Sequence, residues 1–69
     1  MIEVRIADHQ WHNLHTDAQI KIKELARDLG SDYGYDFEYN YYWIKFTSEN
    51  YLLAKIKEFD AAQLMKVVA

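Results

Sequence analysis

Between Tyr33 and Phe46 the chain reads YGYDFEYNYYWIKF, a run that holds five of the six tyrosines, two of the three phenylalanines and one of the two tryptophans. Rings at this density favour a pleated surface over a helix, because aromatic side chains pack well on strands. The run predicts a β-hairpin at the centre of a small sheet. Successive strand residues point to opposite faces, so Tyr33, Tyr35, Phe37 and Tyr39 share one parity while Asp36 and Glu38 share the other. The aromatic parity is expected to face the helices. Asn40 is the expected turn residue, since asparagine tolerates a left-handed backbone. On the return strand, from Tyr41 to Phe46 or Thr47, the residues Tyr42, Ile44 and Phe46 form one face and Tyr41, Trp43 and Lys45 the other. Lys45 belongs in water, which places Tyr41 and Trp43 on the open face beside it.

The other elements follow from periodicity. Ile2-Glu3-Val4-Arg5-Ile6 alternates apolar and charged residues, the pattern of a half-buried strand with Ile2, Val4 and Ile6 inward. The segment ADHQWHNLH, Ala7 to His15, breaks that pattern and is expected to be a loop. Thr16 with Gln19 has the form of a helix-capping box, and Asp17 suits the positive end of the helix dipole. Ala18, Ile22, Leu25, Ala26 and Leu29 recur at helical spacing, which predicts a helix over 17–29 stopped by Gly30. Ser48 is the expected cap of a second helix, whose apolar stripe is Leu52, Leu53, Ile56 and Phe59. In the tail, Asp60 and Gln63 offer another capping box, but Val67-Val68 and the preceding order favour a strand over Leu64–Val68. The expected fold is α+β and ferredoxin-like: a βαββαβ chain with two helices on one face of a four-stranded antiparallel sheet.

With 69 residues this is one domain with a thin core, of the kind that supplies about 3–5 kcal/mol. It has no cysteine, which removes disulfides and thiolate metal sites as staples. Aromatic packing must then carry the stability, helped by any self-association. The net charge of −3 argues against non-specific nucleic-acid binding, which needs clustered Lys and Arg. From Asp28 to Tyr42 there are four acids, Asp28, Asp32, Asp36 and Glu38, and no Lys or Arg. No apolar run is long enough for a membrane span or signal peptide, so a cytoplasmic protein is expected.

The return strand resembles the third strand of an RNA-recognition motif. Aligned on Phe46, it puts Tyr39, Tyr41 and Trp43 at the three exposed positions and Ile44 and Phe46 at the apolar ones. TSENYLLAKIKEF is similar to that family's second helix. The chain departs from the family where Tyr39 replaces a basic residue and where Asn40 and Tyr42 replace small ones. IEVRIA also lacks an aromatic for stacking a second base. The resemblance covers less than a third of the chain. In style the sequence also resembles the very short, tyrosine-rich, cysteine-free open reading frames of tailed bacteriophages, chiefly through YYWIKFTSENYLLAKIKEF. That likeness implies a viral accessory protein that blocks a host enzyme or defence protein from the host cytoplasm.

His9, His12 and His15 are spaced three apart beside Asp8, a donor set that suits zinc or nickel. Asn13 and Thr16 favour an irregular segment there, and a polar loop with solvated imidazoles is the simpler expectation, with no metal or cofactor. No cysteine nucleophile, glycine-rich phosphate loop or metalloprotease pairing is present, and Ser31 and Ser48 have cap or turn explanations. Asp36 and Glu38 are expected on an exposed strand, a setting that does not tune carboxylates for acid–base work, so an enzyme is the least expected class. The expected function is a small acidic protein-binding module. Trp11, Asp32, Asp36, Glu38, Tyr41 and Trp43 are the expected partner-binding residues, since Tyr and Trp are common interface anchors, with a lid folded back over the sheet or helix edge as the equal alternative for Trp11. The alternatives are RNA or single-stranded nucleic-acid binding by stacking on Tyr39, Tyr41 and Trp43, and a structural homo-oligomer such as a homodimer.

Overall fold

The structure is a computed structural model, and it describes residues 1–57, 66 and 67. The fold is α+β, an antiparallel sheet with helices packed on one side. Strand β1 is Ile2–Ala7, β2 is Asp32–Asp36 and β3 is Tyr41–Phe46. They pair in the order β2-β3-β1, giving three antiparallel strands. Two further residues, Lys66–Val67 (β4), pair antiparallel with Arg5 and Val4 on the far side of β1. The helices are α1, Asp8–His12, α2, Thr16–Asp28, and α3, Ser48–Lys57.

Strand parity sets the core. Val4, Ile6, Ile44 and Phe46 are buried under the helices, where they meet Trp11, Ile22, Leu25, Ala26 and Ala54. Each large aliphatic or phenyl group removed from water in this way stabilises the fold by about 1.5–3 kcal/mol. Asn50 Nδ2 donates to the Leu29 carbonyl at 3.0 Å, tying the start of α3 to the end of α2.

Several expectations need correction. The segment after Ala7 is not a loop but the five-residue helix α1, and its Trp11 is only 9 % exposed. The Trp11 ring packs on Tyr42 with centroids 5.1 Å apart, and the Trp11 carbonyl accepts from Gln19 Nε2 at 2.8 Å. Gln19 is therefore spent on α1 rather than on a capping box. The cap of α2 is His15, whose Nδ1 accepts the Asp17 N–H, so the helix starts one residue earlier than expected. Likewise Thr47, not Ser48, caps α3: its Oγ1 accepts the Asn50 N–H at 3.1 Å.

The first hairpin strand is shorter than its alternation suggested. It ends at Asp36, and Phe37, Glu38, Tyr39 and Asn40 form a turn. The Asp36 Oδ1 accepts the N–H groups of both Glu38 and Tyr39, each at 2.9 Å, which bends the chain off the strand. Phe37, expected to face the helices, is 85 % exposed, and Tyr33 and Tyr39 are exposed too. Tyr35 alone of that set is partly buried, in edge-to-face contact with Tyr42. Asn40 sits in the left-handed region at φ 56, as a turn asparagine should.

In α3 the expected stripe faces outward. Leu52, Leu53 and Ile56 are exposed, whereas Ala54 is buried and Tyr51 packs on the core. A methyl at the contact lets the helix lie close to the sheet, and larger side chains there would hold it off. Phe59 and the Asp60–Gln63 alternative lie outside the described residues. Of the expected tail strand Leu64–Val68, only Lys66 and Val67 are described.

Candidate binding face

The side of the sheet away from the helices is a grid of three rows, set by the strand register. Glu3, Lys45 and Asp32 lie in line across β1, β3 and β2; Arg5, Trp43 and Gly34 form the middle row; Ala7, Tyr41 and Asp36 form the third. Directly paired residues in an antiparallel ladder share a face. Each ring of β3 therefore has a charged residue on one side across the sheet, Arg5 beside Trp43 and Asp36 beside Tyr41, and an uncharged one, Gly34 or Ala7, on the other.

Gly34 gives Trp43 its pose. A Cβ built at position 34 would come within 2.7 Å of the Trp43 Cζ2 and 3.0 Å of its Cε2, so the indole lies across the bare backbone of β2. Lys45 Nζ stands 5.3 Å from the Trp43 ring centre and Arg5 Cζ 4.4 Å from that of Tyr41. Cations over rings at such distances are attracted by the ring quadrupole. Arg5 is also held by Glu3, Nε to Oε2 at 2.6 Å, and this hydrogen bond lifts its pKa further above the usual arginine value. Desolvation raises the Tyr41 phenol above its ordinary 10.0; the Asp36 carboxylate adds to the rise and Arg5 opposes it.

Of the residues expected to bind a partner, Asp32, Asp36, Tyr41 and Trp43 come together on this face. Glu38 stands in the turn beyond Asp36, exposed. Trp11 is on the opposite side of the sheet, inside the core cluster, and is not an exposed anchor. The three-ring strand drawn from the RNA-recognition resemblance is also incomplete, because Tyr39 lies in the turn and outside β3. Arg5 and Glu3 were missed as site residues. Their signal was present in the alternation of β1, which sends both to the face opposite Val4 and Ile6.

The histidines are separated by their local tasks. His12 Nε2 lies 3.3 Å from Asp8 Oδ1 along α1, His15 caps α2, and His9 is exposed. Among the described residues no group of three or more His, Cys, Asp or Glu side chains is placed to hold a metal. No described helix is long and apolar enough to cross a membrane.

On the helix side, a cleft of about 690 Å³ opens between α2 and the β2–β3 hairpin. Trp11, Ile20, Tyr33, Tyr35 and Tyr42 give it apolar walls, and Lys23 stands at its rim. Its size is within the roughly 300–1,000 Å³ usual for ligand-sized pockets.

No protein-family model matches the chain, and neither a curated protein nor a solved structure matches it.

Proposed function

We propose that this chain is a small, non-enzymatic protein-binding module that docks a partner on the open sheet face. The observation that carries the proposal is the pair of partly exposed rings, Tyr41 and Trp43, on a face with no described element over it, each with a cation stacked beside it. Tyr, Trp and Arg are the residues that most often dominate interface energies. Asp32, Asp36 and Glu38 would surround these anchors and meet a basic patch on the partner, steering its approach. We further propose that β4 completes the ferredoxin-like βαββαβ arrangement with four strands. A phage-encoded inhibitor that occludes a host or defence protein in the cytoplasm is the concrete form of this function.

The test is capture of partners from a cell lysate by tagged protein, followed by binding of the purified partner. The wild type should retain a defined partner with an affinity that falls as salt rises. The Trp43→Ala, Tyr41→Ala double variant should fold and lose it. A partner held equally by both proteins would overturn the proposal.

Arg5 and Lys45 beside two rings favour one second function, stacking of single-stranded nucleic acid. Glu3, Asp32 and Asp36 on the same face oppose it. Failure to retard any labelled oligonucleotide at low salt would end it.

A further inference from the structure

Strand β2, DYGYD, is the outer strand of the sheet, with β3 on its inner side. An edge strand presents a row of N–H and C=O groups to any extended chain that approaches. Natural edges are commonly blunted by proline, charged side chains or a covering element; β2 has no proline or lysine and carries charge only at its two ends, Asp32 and Asp36. The Tyr33 N–H is held locally by Asp32 Oδ1 at 2.9 Å, a bond that an added strand would exchange for one to its own carbonyl. The cleft beside α2 shares a wall with this strand, through Tyr33 and Tyr35, while Ile20, Lys23 and Arg27 line its helix side. Tyr33 and Ile20 are 60 % and 49 % exposed, so the cleft is open along the edge.

We propose that β2 takes up an extended segment of the partner as an added strand. The inference rests on the partner being a protein, and it specifies that protein's segment. Side chains of the added strand would alternate between the two faces of the sheet. On the open face they would meet Asp32 and Asp36, which calls for lysine or arginine at every second position. On the helix face they would enter the cleft between Tyr33 and Ile20, which calls for apolar, β-forming residues in between. Main-chain bonds along the edge would supply affinity and the alternate side chains specificity. A second copy of this chain is a poor occupant. Antiparallel self-pairing centred on Gly34 sets Asp32 of one copy opposite Asp36 of the other, and like charges directly opposed are destabilising.

The experiment titrates the full-length, isotope-labelled protein with an end-blocked peptide of alternating lysine and valine, followed by amide chemical shifts. The expected result is shifts at Tyr33, Tyr35 and Ile20, with binding at least about tenfold weaker for an alternating glutamate and valine peptide. Tyr33→Pro should abolish binding, since proline at an edge position blocks strand addition while leaving the inner ladder. If that variant fails to fold, Asp32→Asn with Asp36→Asn keeps the local acceptors, removes both charges and should weaken binding by about threefold or more. No binding, equal binding of the glutamate peptide, or dimerisation of the free protein through β2 would overturn the inference. Shifts confined to Tyr41 and Trp43 would also overturn it, while leaving the sheet-face proposal intact.

Discussion

The Trp43 indole lies over Gly34, so close that a methyl group at position 34 would come within 2.7 Å of the ring. The three nearest neighbours of that methyl are all atoms of the Trp43 side chain, which is partly exposed, so the ring rather than the backbone would give way. Gly34→Ala should therefore cost less than about 1 kcal/mol of stability, while moving the indole and weakening partner binding. Gly30→Ala makes the opposite case. Its methyl would sit 2.5 Å from the Ala26 carbonyl oxygen and 3.1 Å from Ile44 Cγ2, where the backbone cannot yield. That substitution should cost about 1–3 kcal/mol. Urea unfolding of the two variants, with tryptophan emission as a second signal, checks both.

The two tryptophans should differ sharply when removed. Trp11 is buried against Tyr42 and belongs to the core cluster. Trp11→Ala should cost about 3–5 kcal/mol, comparable to the whole stability of a domain this small, and leave the chain largely unfolded. Trp43→Ala should cost about 1 kcal/mol. Circular dichroism at rising temperature separates the two outcomes.

The hairpin turn depends on one carboxylate oxygen. Asp36 Oδ1 accepts two N–H groups, those of Glu38 and Tyr39. Asp36→Ala should cost about 1 kcal/mol or slightly more, whereas Asp36→Asn keeps an oxygen acceptor and should cost little. Hydrogen exchange at the Glu38 and Tyr39 amides should accelerate in the alanine variant alone.

Alkaline pH should erode stability through two phenols. Desolvation raises Tyr35 and Tyr41 above their ordinary 10.0, with nearby Asp8 adding to the rise at Tyr35. The folded chain therefore holds these protons more tightly than the unfolded chain. Their contribution is complete below pH about 10 and is lost as pH climbs through the raised folded values. Tyr35→Phe and Tyr41→Phe should each flatten the fall, read from unfolding midpoints against pH.

What was legible in the sequence was whatever repeats with period two or 3.6 over a whole element. Val4 and Ile6 in β1, Ile44 and Phe46 in β3, and Ile22, Leu25 and Ala26 in α2 all turned out to be buried as their spacing implied. The open side of β3 was legible for the same reason, since Lys45 labelled its face. Alternation misled beyond Asp36, where a side-chain oxygen captures two amides and ends the strand although the rings continue at the same spacing. It was silent at α1, because five residues are too few to show a helical period, and Trp11 was free to be read as exposed. In α3 the inward position went to the small residue Ala54 rather than to the leucines, a choice made by how closely the helix approaches the sheet.

The most direct test of the whole account is acrylamide quenching of the two single-tryptophan proteins, Trp11→Phe and Trp43→Phe, both folded. The protein that keeps Trp43 should emit to the red and quench readily, and the one that keeps Trp11 should emit to the blue and resist quenching. The reverse order would place the Trp43 indole inside the fold and remove the face on which the proposed docking depends.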